Sequence, residues 1–335
     1  MGGLQFAGFQ DMGAYLALAV VIAHVARRHL ASLWRNAWAG DARGRRPAAP
    51  RAEALPARAL FVTGALALLG LVWVLSSAGL SLPLALGFLL AYFLVCIVLA
   101  WATSNTGLLL VGCSFRPEDY VYYLAGTRGL GERSLAAMAL PSRVLTFYYR
   151  EYLMPHFLNG YRLADDTGLD RGAAAASMWA GVLLVLPVAW AAHLWLAYAK
   201  GANALQPLTY RSWAPMPFRA ALSHILSPGG ADPQAYVFGL LGAAATAAVI
   251  ALRARVSWWP FHPVGLILAS AAAREIWLSM LIAWVCKVGL LRYGGAGSYR
   301  AGRTFFMGVA LGEAAIATAW MVVGLITHTG VRLLP

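Results

Sequence analysis

Long apolar segments constrain this chain more than any other feature. Six of them are long enough to cross a bilayer as helices, at residues 12–34, 59–78, 82–103, 173–198, 235–254 and 304–327. A spanning helix needs about 20 mostly apolar residues. Composition agrees, because 61% of the 335 residues are hydrophobic and only 12% are charged, whereas soluble chains carry about 25% charged residues. With a further apolar stretch after residue 263, we predict an all-α, polytopic transmembrane helical bundle of about seven membrane helices, forming one transmembrane domain over residues 1–335.

The positive charge of the chain lies mostly between the apolar segments. The net charge is +13, and residues 35–58 hold six arginines against two acids. Lysine and arginine accumulate in the cytoplasmic loops of membrane proteins, so we expect a cytoplasmic loop at 35–58. Residues 200–234 carry five prolines and few charges, which favours a periplasmic loop. We interpret the basic residues as topology signals in a bacterial inner membrane and not as a nucleic-acid-binding patch.

Familiar catalytic and metal-binding motifs are absent from the sequence. Its three cysteines, Cys96, Cys113 and Cys286, form no CxxC pair, which argues against a disulfide framework or a zinc site. The sequence also lacks GxSxG, HExxH, CxxCH and the Walker lysine loop. We therefore expect neither an enzyme activity nor a bound cofactor or metal.

Residues 105–172 differ from the apolar segments around them. They hold seven arginines and seven acids together with many tyrosines, a composition typical of amphipathic helices at the membrane surface. We predict an amphipathic interfacial region here. Within it, Tyr149, Glu151 and His156 are candidate substrate-site or proton-site residues, because they could line a polar cavity or bind lipid headgroups. The alternative is a solvated surface helix anchored by its tyrosines.

The sequence WWPFHPVG, residues 258–265, places two prolines and three large aromatic side chains between apolar segments. Proline cannot continue a helix, and tryptophan is enriched at membrane–water interfaces, so the pattern indicates a turn at the membrane boundary. It also allows a re-entrant or broken helix near 258–275. Residues 264–272 would then form a half-helix inside the fold, since irregular backbone at membrane depth needs protein or water around it. His262, at its entrance, is a candidate proton-sensing residue or an interfacial hydrogen-bonding one.

Ionisable residues inside apolar segments are the remaining candidates, because a charge at a helix centre costs roughly 2.5–3.5 kcal/mol on insertion scales. Glu313 lies well inside the last segment, beside the small residues Gly308 and Gly312, which permit close helix packing. It is either a proton-linked or substrate-binding carboxylate, or a buried acid satisfied by a neighbouring side chain. Arg274 and Glu275 open the segment that follows the half-helix. They are candidate site residues too, with a local ion pair or a helix cap as the alternative.

Several stretches resemble a known class of proteins. They are SFRPEDYVYYLAGTRGLGERSL, MPHFLNGYRLADDTGLDR, WWPFHPVGLILAS, LIAWVCKVGLLRYGGAGSYR and FFMGVALGEA. These stretches are similar to the C-terminal half of large bacterial membrane proteins that carry a domain of unknown function. More distantly, Asn159, Gly160 and Tyr161 with the apolar segment after them resemble oligopeptide-transporter proteins.

The more distant resemblance implies a secondary transporter with discontinuous helices around a midplane site. The chain is about half the length expected for such a transporter. A second membrane chain or a second copy of this chain would then complete the bundle within the lipid bilayer. The leading hypothesis is a transporter-like protein that moves a small organic or peptide-like solute with protons. The alternative is a non-transporting membrane subunit or scaffold of a larger complex.

Overall fold

The computed structural model of the chain describes residues 6–38, 56–107, 112–147, 152–201, 204–205, 208–268 and 273–327. These residues form helices and connecting segments, without a strand among them. The α-helices are α1 Phe6–Trp38, α2 Ala57–Ser77, α3 Leu82–Thr106, α4 Pro117–Asp119, α5 Glu132–Pro141, α6 Leu153–Thr167, α7 Arg171–Lys200, α8 Met216–Leu226, α9 Pro233–Arg255, α10 Pro263–Leu268 and α11 Ala273–Thr327. The prediction of an all-α fold is confirmed.

Six helices in the described part of the chain are long and apolar enough to cross a membrane. They are α1, α2, α3, α7, α9 and α11. The predicted count of about seven differs from this by one, because the sequence pattern divides α11 into two segments. The division reflects a real break in the helix, which lies at Gly295.

At Gly295 the chain of α11 folds back on itself. This residue has φ 66° and ψ −165° inside the helical run, a left-handed φ that glycine adopts without a steric penalty. Lys287 precedes the break and Tyr299 follows it, yet the Lys287 ammonium lies 5.9 Å from the ring centroid of Tyr299. Residues twelve apart in a straight helix would be separated by about 18 Å along its axis. The two limbs of α11 therefore form a helical hairpin.

The chain divides into two compact units, residues 1–272 and 273–335. In the described part of the second unit, the apolar window of α11 has no buried side chains, as expected for helices whose apolar surface is covered by lipid. In the first unit, α1, α3, α9 and α10 contribute to one core, which includes Tyr15, Leu99 and Ile267.

Helices α1 and α9 pack backbone to backbone at three glycines. A Cβ on Gly13 would overlap the backbone of Gly239, and a Cβ on Gly242 would overlap the backbone of Gln10. Small residues at a helix crossing let two backbones approach closely, which is how helices associate where lipid surrounds them. The crossing fixes α9 against the N-terminal half of α1.

The helix predicted to be broken near 258–275 is broken. Helix α9 ends at Arg255, and the chain turns where the amide of Trp259 donates to the carbonyl of Val256 at 3.2 Å. A six-residue helix, α10, then begins at Pro263. Its Val264 and Ile267 are buried in the core formed with α1 and α3. Pro263, Val264, Ile267 and Leu268 are buried and Gly265 is exposed, so one face of this short helix is covered by protein. Residues 269–272 of the predicted half-helix lie outside the described residues.

Residues 115–146 form a second helical hairpin, which we call the inner hairpin. Its first arm is α4 followed by a π-helix, Tyr120–Ala125, and its second arm is α5 followed by a π-helix, Ser142–Thr146. Phe115 shares a core with Val95 and Leu99, whereas Tyr122 shares a core with the earlier part of α3, around Phe88. The first arm thus runs antiparallel to α3.

The tip of the inner hairpin is held by the loop before α9. The backbone amides of Thr127 and Arg128 donate to the carbonyl of Gly229 at 2.9 and 3.1 Å. Gly126 has φ 78°, and a Cβ there would overlap the backbone of Gly230 and Ala231, so only glycine fits.

The inner hairpin lies within the stretch 105–172, for which the sequence favours an interfacial position. The structure packs its arms against α3, α8 and α9, because the apolar residues of each arm, such as Leu135 and Met138, are buried there. The positions of the membrane boundaries in 105–172 and of loops 35–58 and 200–234 stay predictions.

Candidate functional site

Glu118 is the most enclosed carboxylate in the described part of the chain, with 2% of its surface exposed. The hydroxyl of Ser142 donates to Oε1, and the hydroxyl of Thr146 donates to Oε2 at 2.9 Å. Nη1 of Arg116 lies 3.9 Å from Oε1. Each carboxylate oxygen thus has a hydroxyl donor, as a buried charged group requires.

The two arms of the inner hairpin assemble this site. Glu118 sits on α4 in the first arm, while Ser142 and Thr146 lie four residues apart in the π-helix of the second arm. Pro117 starts α4, and the backbone amide of Arg116 donates to Oδ2 of Asp119 at 2.7 Å, which holds the turn that carries Glu118. A π-helix adds a residue to a helical turn and is frequent at functional sites. Here each arm of the inner hairpin ends in a π-helix.

Asp119 adds a group that titrates near neutral pH. Burial raises the pKa of Asp119 to about 7, and the neighbouring Glu118 carboxylate contributes in the same direction, against the opposing effect of Arg116. Two adjacent carboxylates disfavour each other's ionisation. Asp119 is therefore the group of this site whose pKa lies near neutral pH.

A second buried carboxylate, Asp11, lies on the other side of the first arm. It is 5% exposed and accepts a hydrogen bond from the hydroxyl of Ser114. Tyr120 anchors the arm to the same helix, since its hydroxyl donates to the carbonyl of Met12 at 2.6 Å. Burial, with Cys113 and Asp11 nearby, raises the pKa of Tyr120 well above its usual value, so this hydroxyl stays protonated and acts as a donor.

His262 has a structural position at the start of α10. Its Nδ1 accepts a hydrogen bond from the amide of Val264 at 3.2 Å, and its ring stacks on Trp101 with centroids 6.1 Å apart. Partial burial lowers the pKa of His262, and the positive charge of Arg253 contributes. Both effects favour the neutral ring that the hydrogen bond needs. The geometry matches the hydrogen-bonding interpretation of this residue.

The other predicted site residues fall in three separate parts of the chain, at 149–156, 274–275 and 313. His156 is an exposed residue of α6, and Glu313 is exposed on α11 in the second unit. Arg274 and Glu275 belong to the first turn of α11, with their side chains outside the description, and Tyr149 and Glu151 lie outside the described residues. Their proposed roles stay predictions.

Sequence reasoning missed Glu118, Asp119 and Asp11. Within the polar stretch 105–172, the density of hydrogen-bonding groups directs attention to the cluster around Tyr149, and Glu118 lies outside both this cluster and the predicted spans. Two signals were available. Glu118 directly follows Pro117 and precedes the apolar run YVYYLA, and Asp11 immediately precedes the first apolar segment. Within the described residues, no group of three His, Cys, Asp or Glu side chains could hold a metal ion.

Six apolar helices and an all-α core define the class of this molecule, which is a multi-span membrane protein. Over residues 1–335 the chain matches the model of a family described as "Family of unknown function (DUF6785)". The chain belongs to that family, as its resemblance to membrane proteins with a domain of unknown function implied. No curated protein and no solved structure matched the chain.

Proposed function

We propose that the protein is a transporter-like membrane protein in which Glu118, with Asp119 beside it, forms the proton-binding or solute-binding site. The observation that carries the proposal is the burial of Glu118 between the two arms of the inner hairpin, with a hydroxyl donor on each oxygen. Ionisable groups inside membrane proteins are expensive, and they commonly mark ion and substrate pathways.

The inner hairpin supports this proposal through its architecture. In many secondary transporters, broken helices surround the binding site, because their free backbone groups and polar side chains can face a solute. In the inner hairpin the chain reverses direction at Gly126, each arm carries a π-helical segment, and the carboxylate lies where the arms meet. The distant resemblance to oligopeptide transporters makes a small organic or peptide-like solute, moved with protons, the substrate class to test.

The proposal includes a non-enzymatic role in a bacterial inner membrane. In this proposal the chain acts with a second membrane chain or a second copy of itself. The apolar window of α7 supports such an arrangement, since it has no buried residues within the chain and offers an apolar surface to lipid or to another subunit.

A second candidate function is a non-transporting subunit or scaffold. The same exposed apolar helices, α7 together with α2, favour it, because a scaffold needs wide surfaces for lateral contacts. In that case Glu118 would only cross-link the two arms of the inner hairpin. The two functions differ in whether this carboxylate must change its protonation state.

Proteoliposomes that contain the full chain and an internal pH-sensitive dye can test the proposal. Di- and tripeptides would be added outside, and the internal pH would be followed. We expect peptide-dependent acidification with the natural chain and a loss of at least tenfold with Glu118→Gln, which cannot exchange a proton. Glu132→Gln is the matched control, because Glu132 is an exposed carboxylate of the same hairpin. Equal rates for both variants would contradict the proposal.

A further inference from the structure

The turn between α9 and α10 presents a combination of groups that the proposed transport site does not use. Arg253 and Arg255 end α9 and are both exposed. In the described part of the chain, neither guanidinium lies within ion-pair distance of a carboxylate. Two neighbouring positive charges therefore face outward without an acidic partner from the described residues.

Large aromatic side chains follow these arginines at once. Trp258 is 76% exposed and Phe261 is 62% exposed. Trp259 lies between them, with its ring centroid 6.2 Å from that of Trp258 and 5.6 Å from that of Phe261. A globular surface in water does not favour two such exposed rings, whereas the membrane–water interface accommodates aromatic rings at the level of the headgroups.

The indole of Trp259 adds an unmet hydrogen-bonding requirement. Its Nε1–H group is buried and has no acceptor in the part of the chain that the structure describes. Buried donors in folded proteins are almost always paired. Because this group is enclosed, we assign it no contact with a lipid.

The turn itself is a fixed platform. The amide of Val256 donates to the carbonyl of Leu252 at 2.7 Å, and the amide of Gly265 donates to the carbonyl of His262 at 2.8 Å. His262 is held in turn by its stacking on Trp101 of α3. The cations and aromatic rings are thus presented from a turn whose two ends are held by backbone hydrogen bonds.

We propose that Arg253, Arg255 and the aromatic turn 258–261 form a binding site for the headgroup of an anionic phospholipid. The two guanidinium groups complement the phosphate charge, in the way basic residues at a membrane surface bind acidic lipids. Trp258 and Phe261, which are exposed, insert beside the acyl ester region. This site is independent of the role proposed for Glu118.

Native mass spectrometry of the full chain in neutral detergent tests this site, with phosphatidylglycerol and phosphatidylcholine as the added lipids. We expect the natural chain to retain phosphatidylglycerol in preference. The double variant Arg253→Gln/Arg255→Gln should bind phosphatidylglycerol roughly thirtyfold more weakly, with phosphatidylcholine binding unchanged. Trp258→Ala, at a highly exposed position that folding does not require, should weaken phosphatidylglycerol binding several-fold.

The matched control is Arg128→Gln/Arg219→Gln, which removes the same charge from two exposed arginines that lie outside the aromatic turn. It should keep phosphatidylglycerol binding within twofold. An equal loss in the control and the test variant would overturn the proposal, because net charge alone would then explain binding. Full competition by inorganic phosphate at the same concentration would also overturn it, since the site would then bind a free anion and not a lipid.

Discussion

Replacing Gly242 by alanine should separate α1 from α9. A Cβ at this position would lie 2.8 Å from Cα of Gln10 and 2.6 Å from its carbonyl carbon, whereas carbon atoms pack at about 3.5–4.0 Å. The backbone of α1 must therefore retreat by about 1 Å. Gly239→Ala is the matched control on the same helix, because its Cβ would meet only the carbonyl oxygen of Phe9, at an ordinary 3.7 Å.

The two substitutions should have opposite effects on stability. Alanine is favoured over glycine in a helix by about 1 kcal/mol, and Gly239→Ala should keep that gain. For Gly242→Ala, overpacking that moves a backbone costs about 3 kcal/mol, which leaves a net loss of about 2 kcal/mol and a Tm lower by about 4 °C. Thermal unfolding in detergent, followed by tryptophan fluorescence, measures both. If Gly242→Ala were as stable as Gly239→Ala, the close crossing of α1 and α9 would be refuted.

Three further predictions concern the inner hairpin and the topology. Thr146→Val keeps the shape of the side chain but removes a donor to Glu118, so the free energy of unfolding should fall by about 1–3 kcal/mol, while Thr63→Val on exposed α2 should change it by less than about 0.5 kcal/mol. Because folding raises the pKa of Asp119 to about 7, the folded state binds this proton more tightly than the unfolded state. The contribution of Asp119 to stability should therefore increase as pH falls from about 8 to about 4, and Asp119→Asn should remove that increase in melting curves recorded across this range; an unchanged pH profile would contradict the assignment. Cysteines introduced at Ala48 and Ser227 should react with an impermeant maleimide from opposite sides of the membrane, and labelling from the same side would contradict the predicted orientation of loops 35–58 and 200–234.

The helical architecture could be predicted from the sequence because it depends on local properties. Apolar length alone identifies the spanning candidates, and Pro260 and Pro263 mark the interruption before α10, since proline removes a backbone donor. Gly295 shows the limit of this reasoning. The sequence pattern separates two apolar segments around it, but the hairpin itself becomes visible only from the contact between Lys287 and Tyr299.

The carboxylate site could not be predicted in the same way, because it depends on contacts between distant segments. Glu118 receives its donors from Ser142 and Thr146, more than twenty residues further along the chain. The charged and aromatic composition of residues 105–172 is equally typical of a surface helix. The inner hairpin differs from a surface helix because Tyr122 and Met138 are buried in a core shared with α3. The hydropathy of the sequence does not show this burial.

Modification by a hydrophobic carbodiimide tests most directly whether Glu118 takes part in transport or only cross-links the two arms of the inner hairpin. Such reagents react with protonated carboxyl groups in apolar surroundings, and mass spectrometry identifies the modified residue. For the full chain in membranes, we predict modification of Glu118 that decreases when a transported peptide is present, with exposed Glu132 unmodified. If Glu118 stayed unmodified at every pH while the protein remained folded, the carboxylate would be permanently enclosed, and its proposed role in transport would be contradicted.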